Sequence, residues 1–501
     1  MSKSALPGAH PATTTTADLE TQDVSNLGKT LAIVWRIAAP YFRSDDKWPG
    51  RILLGAVIAI ELAIVAINVL LNQWNMRFYN ALQERNWDSF VSELVYFSVL
   101  AALFIVLAVY QLYLNQWLQI RWRAWMTRRY LGDWLQDANH YRMQLLGDAA
   151  DNPDQRLTDD VRMFVDRTLN IGIGLLSSVV TLGSFVVILW GLSAAAPLHL
   201  FGVEYNIPGY LVWGALIYAI LGTLLTHLVG RPLIALDYMQ QRYEADFRFN
   251  LVRVRENGEQ IALLRGEAAE RGQLLRRFEQ VVSNWIAIMI RTKKVTALTA
   301  SYGQAAVVFP YILVAPAYFA GKIQLGGMMQ TASAFSSVQG ALSFFVSAYR
   351  ALAEWRAVVM RLDGFEAAIA HAEALPRQAD TIKVTHGGAE RITLSGLLLR
   401  LPNGAPLATA HDIHLRDGER TLIRGPSGAG KSTLFRAIAG IWPFGQGEVR
   451  IPADARLMLL PQRPYFPVAP LRAALAYPAP DGAFSDEAMA DALTAVGLPA
   501  L

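Results

Sequence analysis

Long apolar runs alternate with long polar and charged segments through the first 350 residues of the chain. About 20 helical residues, at about 1.5 Å of rise each, cross a hydrocarbon core of roughly 30 Å. The pattern therefore predicts six transmembrane helices. Pro310 and Pro316 interrupt the fifth run, and Ala, Ser and Gly dilute the sixth, so a buried helix is the competing interpretation for these two. The runs lie near residues 52–71, 94–114, 168–192, 207–229, 297–320 and 325–346.

The distribution of Lys and Arg predicts the orientation of these spans. Basic residues are frequent before the first span and in the connections 116–167 and 231–296, and they are scarce in the other connections. Because Lys and Arg accumulate on the cytoplasmic side of membrane proteins, both termini and both long connections are expected in the cytoplasm. Residues 1–30 are rich in Thr, Ala and Ser without an apolar run, which predicts a disordered cytoplasmic tail. A transmembrane domain is then expected over residues 31–375.

The pattern changes after the last span, and residues 376–501 are expected to form a second domain of α/β type. Short runs of β-type residues at 392–394, 413–415 and 421–423 predict strands. Residues 431–439 have one apolar helical face and are followed by Gly440, which predicts a helix with a glycine at its end.

The stretch between the last predicted strand and this helix fits the phosphate-binding loop G-x-x-x-x-G-K-[ST]. In such a loop, backbone N–H groups close around phosphate oxygens, and the following helix presents its positive end to the same anion. Lys431 is expected to hold the β- and γ-phosphates, and Ser432 to supply a hydroxyl to Mg²⁺. A glycine-rich surface turn is the alternative, and the strand–loop–helix setting disfavours it. The predicted nucleotide-binding residues are Gly425, Pro426, Ser427, Gly428, Ala429, Gly430, Lys431, Ser432 and Thr433.

Composition narrows the classes of function. A hydrophobic content of 53% is high for a soluble protein and ordinary for a membrane protein. The chain has no cysteine, so disulfides, thiolate catalysis and thiolate metal sites are excluded. The formal net charge of +4 is small for this length and the arginines form no single stripe, so no nucleic-acid partner is expected.

Several strings resemble half-transporters of the ATP-binding cassette superfamily. Residues 152–160 are similar to the string NPDQRI..D, and residues 259–270 to the string E.IAF..GE..E. Both strings are typical of the branch that contains the peroxisomal fatty-acyl transporters of subfamily D, the YddA-type permease/ATPases and the mycobacterial cobalamin transporter, and that is related to the SbmA/BacA-type transporters. Residues 437–443 and 460–465 match the same branch.

This resemblance implies the ABC exporter type of fold, with six membrane helices followed by a nucleotide-binding domain that begins with an antiparallel edge. It implies ATP and Mg²⁺ as cofactors, with Gln462 as the glutamine that contacts Mg²⁺ beside Ser432. The expected partners are the lipid bilayer, a second half-transporter in a homodimer or heterodimer, and a substrate that the sequence does not identify. The expected location is the bacterial inner membrane. Five residues are expected in a cytoplasmic loop region whose short coupling helices contact the nucleotide-binding domains: Asn152, Pro153, Asp154, Gln155 and Arg156.

The resemblance is incomplete after Gln462. Residues 463–501 contain no LSGGQ-like signature, no apolar strand that ends in Asp-Glu and no switch histidine, so no catalytic residue is assigned. Three interpretations stay open: the sequence is part of a longer half-transporter, the gene is truncated, or a partner completes the ATP site.

Glu61 lies in the middle of the first predicted span. An ionisable group at this depth is costly, so it is expected to face an interior pathway or a neighbouring helix. A proton-carrying or cavity-lining role and an interhelical hydrogen bond are both open. The function expected for the chain is ATP-driven transport by alternating access. The alternatives are a secondary transporter coupled to protons through Glu61, and a regulatory subunit that transports nothing.

Overall fold

The computed structural model describes residues 27–147, 152–195, 197–200, 203–205, 207–378, 381–387, 390–462, 464–480 and 482–498. These residues form two compact units. The first unit runs to Leu131 and resumes from Asn152 to Phe365, and the second contains the segment that begins at Gly132 and the chain from Glu366 onward. Most of the predicted tail, residues 1–26, lies outside the described residues. The predicted boundary between residues 375 and 376 stays a prediction.

Long helices make up the first unit, which we call the membrane unit. Two short antiparallel strands, β1 (Leu198–Leu200) and β2 (Val203–Tyr205), lie between two of the helices and were not predicted. The longer helices described up to residue 374 are α1 (Leu27–Ala38), α2 (Lys47–Gln83), α3 (Trp87–Leu135), α4 (Asn139–Leu146), α5 (Val161–Ala195), α6 (Tyr210–Glu256), α7 (Gly258–Leu263), α8 (Glu267–Phe319) and α9 (Leu325–Ala374).

Five of these helices are apolar enough to cross a membrane. Among the described residues, α2, α3, α5, α6 and α8 each contain an 18-residue stretch of the required hydropathy. Pro310 and Pro316 lie inside α8 without ending it. Helix α9 covers the sixth predicted span, but its serines lower the hydropathy of that segment and it does not meet the same criterion. The membrane region therefore has about five apolar helices, and the number of six is not confirmed.

An aromatic pair joins α6 to α8. The Tyr218 hydroxyl donates to the Tyr302 carbonyl oxygen at 2.6 Å, and the Tyr302 hydroxyl donates to the Tyr218 carbonyl oxygen at 3.0 Å. The two rings stack with their centroids 4.4 Å apart. Each hydroxyl thus has a backbone acceptor inside an apolar environment, where an unpaired hydroxyl is costly. Gly222 faces the Tyr302 ring, and a Cβ at this position would clash with it.

Side chains from the end of α2 cap the start of α9. The backbone N–H of Leu325 donates to Gln83 Oε1 at 2.7 Å, and that of Gly326 donates to Asn80 Oδ1 at 2.8 Å. The first N–H groups of a helix have no partner within the helix, so these bonds satisfy them. A Cβ at Gly326 would clash with the carbonyl oxygen of Met76. Close approach of the two backbones therefore requires glycine at this position.

A polar cluster fixes the chain just before α2. The ring of Tyr41 is fully buried and stacks on Trp122, with the centroids 5.6 Å apart. The Tyr41 hydroxyl donates to Asp46 at 3.2 Å, and Arg121 Nε donates to the same carboxylate at 3.1 Å. Hydrogen bonding from Arg121 lowers the pKa of the Asp46 carboxyl. Burial, assisted by the negative charge of Asp46, raises the pKa of Tyr41 to about 12.

The second unit, which we call the ABC unit, contains a five-stranded sheet. Strands β3, β7, β4 and β5 are neighbours in that order, and β6 also pairs with β4. Strand β4 is antiparallel to β5, β6 and β7, whereas β3 and β7 are parallel. The strands are β3 (Lys383–His386), β4 (Ile392–Arg400), β5 (Pro406–Ala410), β6 (Ile413–Leu415) and β7 (Gly445–Ile451), and the helices that follow α9 are α10 (Lys431–Ile438), α11 (Leu471–Ala476) and α12 (Asp486–Ala495).

The predictions for this unit are mostly confirmed. The run 392–394 lies in β4, and the run 413–415 is β6. The predicted helix 431–439 is α10, and Gly440 follows it with a φ of +75°. The strand predicted at 421–423 is wrong. In the described part of the chain these residues pair with no strand, and Leu422 is 70% exposed, so neither a backbone ladder nor burial holds them extended.

Replacement of Gly326 by Ala is expected to destabilise the protein by about 1–3 kcal/mol, because the new methyl group meets the backbone of α2 rather than a flexible side chain. The neighbouring variant Gly327→Ala is the control, since its Cβ would lie 3.7 Å from Ile323, an ordinary contact. The melting temperatures of both variants in nanodiscs, measured by tryptophan fluorescence, test the prediction. Equal melting temperatures would show that α2 and α9 do not approach closely there.

Replacement of Asp46 by Asn is expected to cost about 1–2 kcal/mol at neutral pH, because a charge-assisted bond is lost at a partly exposed site. The folded pKa of Asp46 is lowered, so its contribution is complete above the unfolded value of about 3.9. The contribution disappears as the pH falls through the folded pKa. Thermal unfolding at pH 7 and at decreasing pH should show the difference from wild type shrinking. The adjacent, exposed Asp45→Asn is the control and should change stability little at any pH.

Candidate functional site

The predicted phosphate-binding loop joins an exposed segment to α10 and packs against β5. Gly428 and Gly430 have φ values of +82° and +86°, which lie in the left-handed region that favours glycine. A Cβ at Gly430 would approach Leu407 Cγ at 3.1 Å and Ala408 Cβ at 3.3 Å. Both the backbone conformation and the closeness of β5 therefore require glycine at position 430.

The start of α10 presents backbone N–H groups that have no partner within the helix. The first backbone bond of this helix runs from the N–H of Leu434 to the carbonyl oxygen of Gly430 at 2.9 Å. The N–H groups of Lys431, Ser432 and Thr433 precede it. Gly430, at the N-cap position, has no side chain that could accept from them. This helix end can bind an anion through N–H groups and through its positive dipole.

The ammonium group of Lys431 lies over the same loop. Its Nζ donates to the carbonyl oxygens of Gly425 and Pro426, both at 2.8 Å. Ser432 is exposed, whereas Thr433 is buried, so only the first of these two hydroxyl-bearing residues faces solvent. Ala437 and Ile438 anchor the other end of α10 in the sheet's apolar core. The site thus combines a cation, helix N–H groups and an exposed hydroxyl, a set of donors that fits a nucleotide phosphate.

Gln462 is the predicted nucleotide-site residue outside the loop. Gln462 lies on an exposed segment without regular secondary structure, and among the described residues no hydrogen bond joins it to residues 425–433. Its role stays a prediction.

A short helix of the first long connection belongs to the ABC unit. Helix α4 follows Asp137 and Ala138, which have φ values of +49° and +59°, and it is followed by Gly147 at +63°. Leu145 packs against the apolar core of the sheet. Sequence analysis did not predict α4, because its eight residues show no clear apolar face and its contact with the domain is tertiary.

The predicted coupling residues lie a few positions later, in the membrane unit. Asn152 has a φ of +60°, and its carbonyl oxygen accepts from the N–H of Gln155 at 3.0 Å, so Asn152 precedes a short helical turn, Pro153–Gln155, on the way to α5. Arg156 Nη1 donates to Asp160 at 2.7 Å. The coupling role of these five residues stays a prediction.

Asp160 connects this turn to α9. The Asp160 side chain is fully buried and also accepts from Arg361 Nε at 2.9 Å. About two turns further along the chain, Arg167 of α5 pairs with Glu354 at 2.9 Å. Arg156 and Arg361 thus compensate the negative charge of the buried Asp160 carboxylate, which would be very costly without a cation beside it. Sequence reasoning named Arg156 but could not find Arg361, which is 201 positions from Asp160.

The second string, residues 259–270, forms the tip of the α6–α8 hairpin. Helix α7 lies at this tip, and Arg265 follows with a φ of +50°. Leu263 and Leu264 are 78% and 82% exposed. Two adjacent, exposed leucines at a helix turn are suited to contact with another protein surface.

Glu61 contacts the neighbouring helix. Its Oε2 accepts from Gln111 Nε2 on α3 at 3.0 Å, and Glu61 is half-buried. The contact is the interhelical hydrogen bond that one of the two sequence interpretations requires. The proton-carrying interpretation stays a prediction.

Comparisons with known proteins agree with this architecture. Residues 37–319 match the family model for ABC transporter transmembrane region 2, and residues 409–462 match the model for ABC transporter. The first match covers the apolar helices α2 to α8, and the second covers the loop and α10.

Similar proteins combine the same two regions. The chain is 34% identical over 418 residues to the inner membrane ABC transporter ATP-binding protein YddA of Escherichia coli, covering 83% of this chain and 73% of that protein. It is 32% identical over 485 residues to the chloroplastic ABC transporter D family member 2 of Arabidopsis thaliana, covering 89% and 66%. It is 22% identical over 498 residues to the lysosomal cobalamin transporter ABCD4 of Mus musculus, covering 93% and 79%. The chain thus belongs to the ABC transporters, in the subfamily D branch, with a membrane region of the ABC transporter transmembrane region 2 family fused to an ATP-binding domain.

Proposed function

We propose that this chain is one half of a transporter that moves a substrate across the bacterial inner membrane by ATP-driven alternating access. The observation that carries the proposal is the phosphate-binding geometry at Lys431, in a chain whose membrane helices match an ABC membrane region. ATP would bind with its β- and γ-phosphates against Lys431 and the first N–H groups of α10. Ser432 and Gln462 would hold Mg²⁺, which supplies positive charge to the phosphates.

The second half-transporter is the proposed partner. ABC half-transporters form dimers, and the exposed Leu263 and Leu264 at the tip of the α6–α8 hairpin offer an apolar surface for the partner. Within one chain, α4 packs on the apolar core of the ABC unit through Leu145, and the membrane unit resumes at Asn152. We infer that nucleotide-driven movement of the ABC unit is transmitted through this connection. Both termini would lie in the cytoplasm, where ATP is available.

Replacement of Lys431 by Ala is expected to weaken ATP binding by about tenfold or more, because the phosphates lose a charge-assisted partner worth about 1.5–3 kcal/mol. Binding of a fluorescent ATP analogue to the full chain in nanodiscs, with Mg²⁺ present, measures this effect. The matched control is Arg436→Ala, which removes one cation from the same helix, five residues away, where the guanidinium lies 5.9 Å from the Trp442 ring.

Equal affinities of the wild type and Lys431→Ala would contradict the assignment of the loop. Loss of binding in both alanine variants would show that net charge, rather than loop geometry, attracts the nucleotide. Glu61→Gln is expected to leave ATP binding unchanged, since Glu61 lies in the membrane helix α2.

A further inference from the structure

Helix α9 is the long helix of the membrane unit in which no sufficiently apolar stretch is found among the described residues, and several of its polar positions line a cavity in that unit. The cavity has a volume of about 710 Å³ and lies between α2, α5 and α9. Its polar lining includes Asn68, Asn72, Ser177, Thr181, Ser333 and Ser337. Serines in α9 that would weaken a purely lipid-facing span therefore serve to line this cavity.

A second cavity adjoins the first across the same helix. It has a volume of about 340 Å³, lies between α2, α8 and α9, and is lined in part by Asn75 and Gln339. Ser333 lines both cavities. Polar residues on α9 thus face space inside the protein over several turns, which explains why this helix fails the hydropathy criterion.

The larger cavity contains no charged group among the described residues that line it. Amide and hydroxyl groups provide its polar surface, and Leu71, Phe185 and Phe344 provide apolar walls. An ion placed here would lose its hydration without gaining a counter-ion, and this loss is costly inside a membrane protein. A neutral molecule with both a polar and an apolar part would lose less hydration and fit both surfaces.

Asn72 indicates which hydrogen-bonding group such a molecule should offer. Its side chain is 1% exposed, and its Nδ2 donates to the Gln330 carbonyl oxygen at 3.0 Å. Its Oδ1 is buried and accepts no hydrogen bond within the described structure. A buried acceptor without a donor costs about 1–3 kcal/mol. A ligand that donates an O–H or N–H bond to this oxygen would recover that energy.

We propose that the cavity between α2, α5 and α9 binds an uncharged amphipathic molecule that donates a hydroxyl or amide hydrogen bond to Asn72, and that such molecules are the substrate class of the transporter. The assignment as substrate rests on the proposed transport function. The binding itself rests only on the cavity, its uncharged lining and the unpaired oxygen of Asn72.

Single thiols can test this directly, because the chain contains no cysteine. Ser177→Cys places a thiol in the cavity, and Val179→Cys places one two residues further along α5, on a 52% exposed position. The rate of labelling by N-ethylmaleimide is measured for the full chain in nanodiscs, without nucleotide. Three probes of equal chain length are compared: monooctanoylglycerol, which is neutral and has hydroxyl donors, octanoate and octylammonium.

Monooctanoylglycerol at about four times its Kd is expected to slow labelling of Ser177→Cys about fivefold. Octanoate and octylammonium at the same concentration should not slow it, and none of the probes should affect Val179→Cys. Equal protection by all three probes would overturn the proposal, since it would mean apolar partitioning alone. Protection by octanoate only, or by no probe, would overturn it as well.

Removing the acceptor tests the hydrogen bond. Asn72→Leu in the Ser177→Cys chain is expected to abolish protection by monooctanoylglycerol, and protection that persists would refute the role of Asn72. Because Asn72 also contacts Gln330, Thr181→Val provides a second variant that keeps the side-chain volume and should weaken protection. Protection should survive in Lys431→Ala, because that residue lies in the phosphate-binding loop and not in the cavity. A wild-type chain that bound the probe but not ATP would contradict the proposed function and leave the cavity assignment intact.

Discussion

The cost of leaving a polar group unpaired in hydrocarbon governs the membrane unit. Helices satisfy the backbone, so the chain crosses as helices that even Pro310 and Pro316 do not end. The remaining polar side chains must then find partners within the protein. Tyr218 and Tyr302 do so by donating to each other's backbone, and Asn80 does so by capping the start of α9. Asn72, like several other buried side chains, has an atom without a hydrogen-bond partner among the described residues, and it lies beside the uncharged cavity between α2, α5 and α9.

Sequence patterns predicted those features of the fold that depend mainly on residues close together in the chain. Apolar runs located the long helices, and the glycines with Lys431 located a loop whose backbone conformation and N–H groups have the expected form. The prediction of β6 is confirmed with its bounds, because this run pairs with β4 in the sheet. The run 421–423 has the same composition as a strand but no paired neighbour among the described residues, so the prediction was wrong there. A β-type composition shows that a run can fit into a sheet, but the run forms a strand only where a neighbouring strand pairs with it.

Contacts between distant positions could not be predicted from one sequence. Asp160 looks like an ordinary acidic residue at a helix start until Arg361 is placed against it. Helix α4 carries no apolar periodicity of its own, and its place in the ABC unit depends on tertiary contacts such as the packing of Leu145 on the apolar core. The predicted number of six membrane spans is not confirmed for a related reason. Hydropathy measures compatibility with lipid, and a helix that lines a polar cavity is not surrounded by lipid alone.

Helix α9 connects these features along a single continuous element. It begins at side-chain caps from α2, passes the polar cavity at Ser333 and Ser337, and is then held to α5 through Glu354 and Arg361. It continues without interruption to Ala374, beyond the point where the chain enters the ABC unit. A helix of this kind cannot be both apolar enough for lipid and polar enough for the cavity, and its sequence favours the cavity.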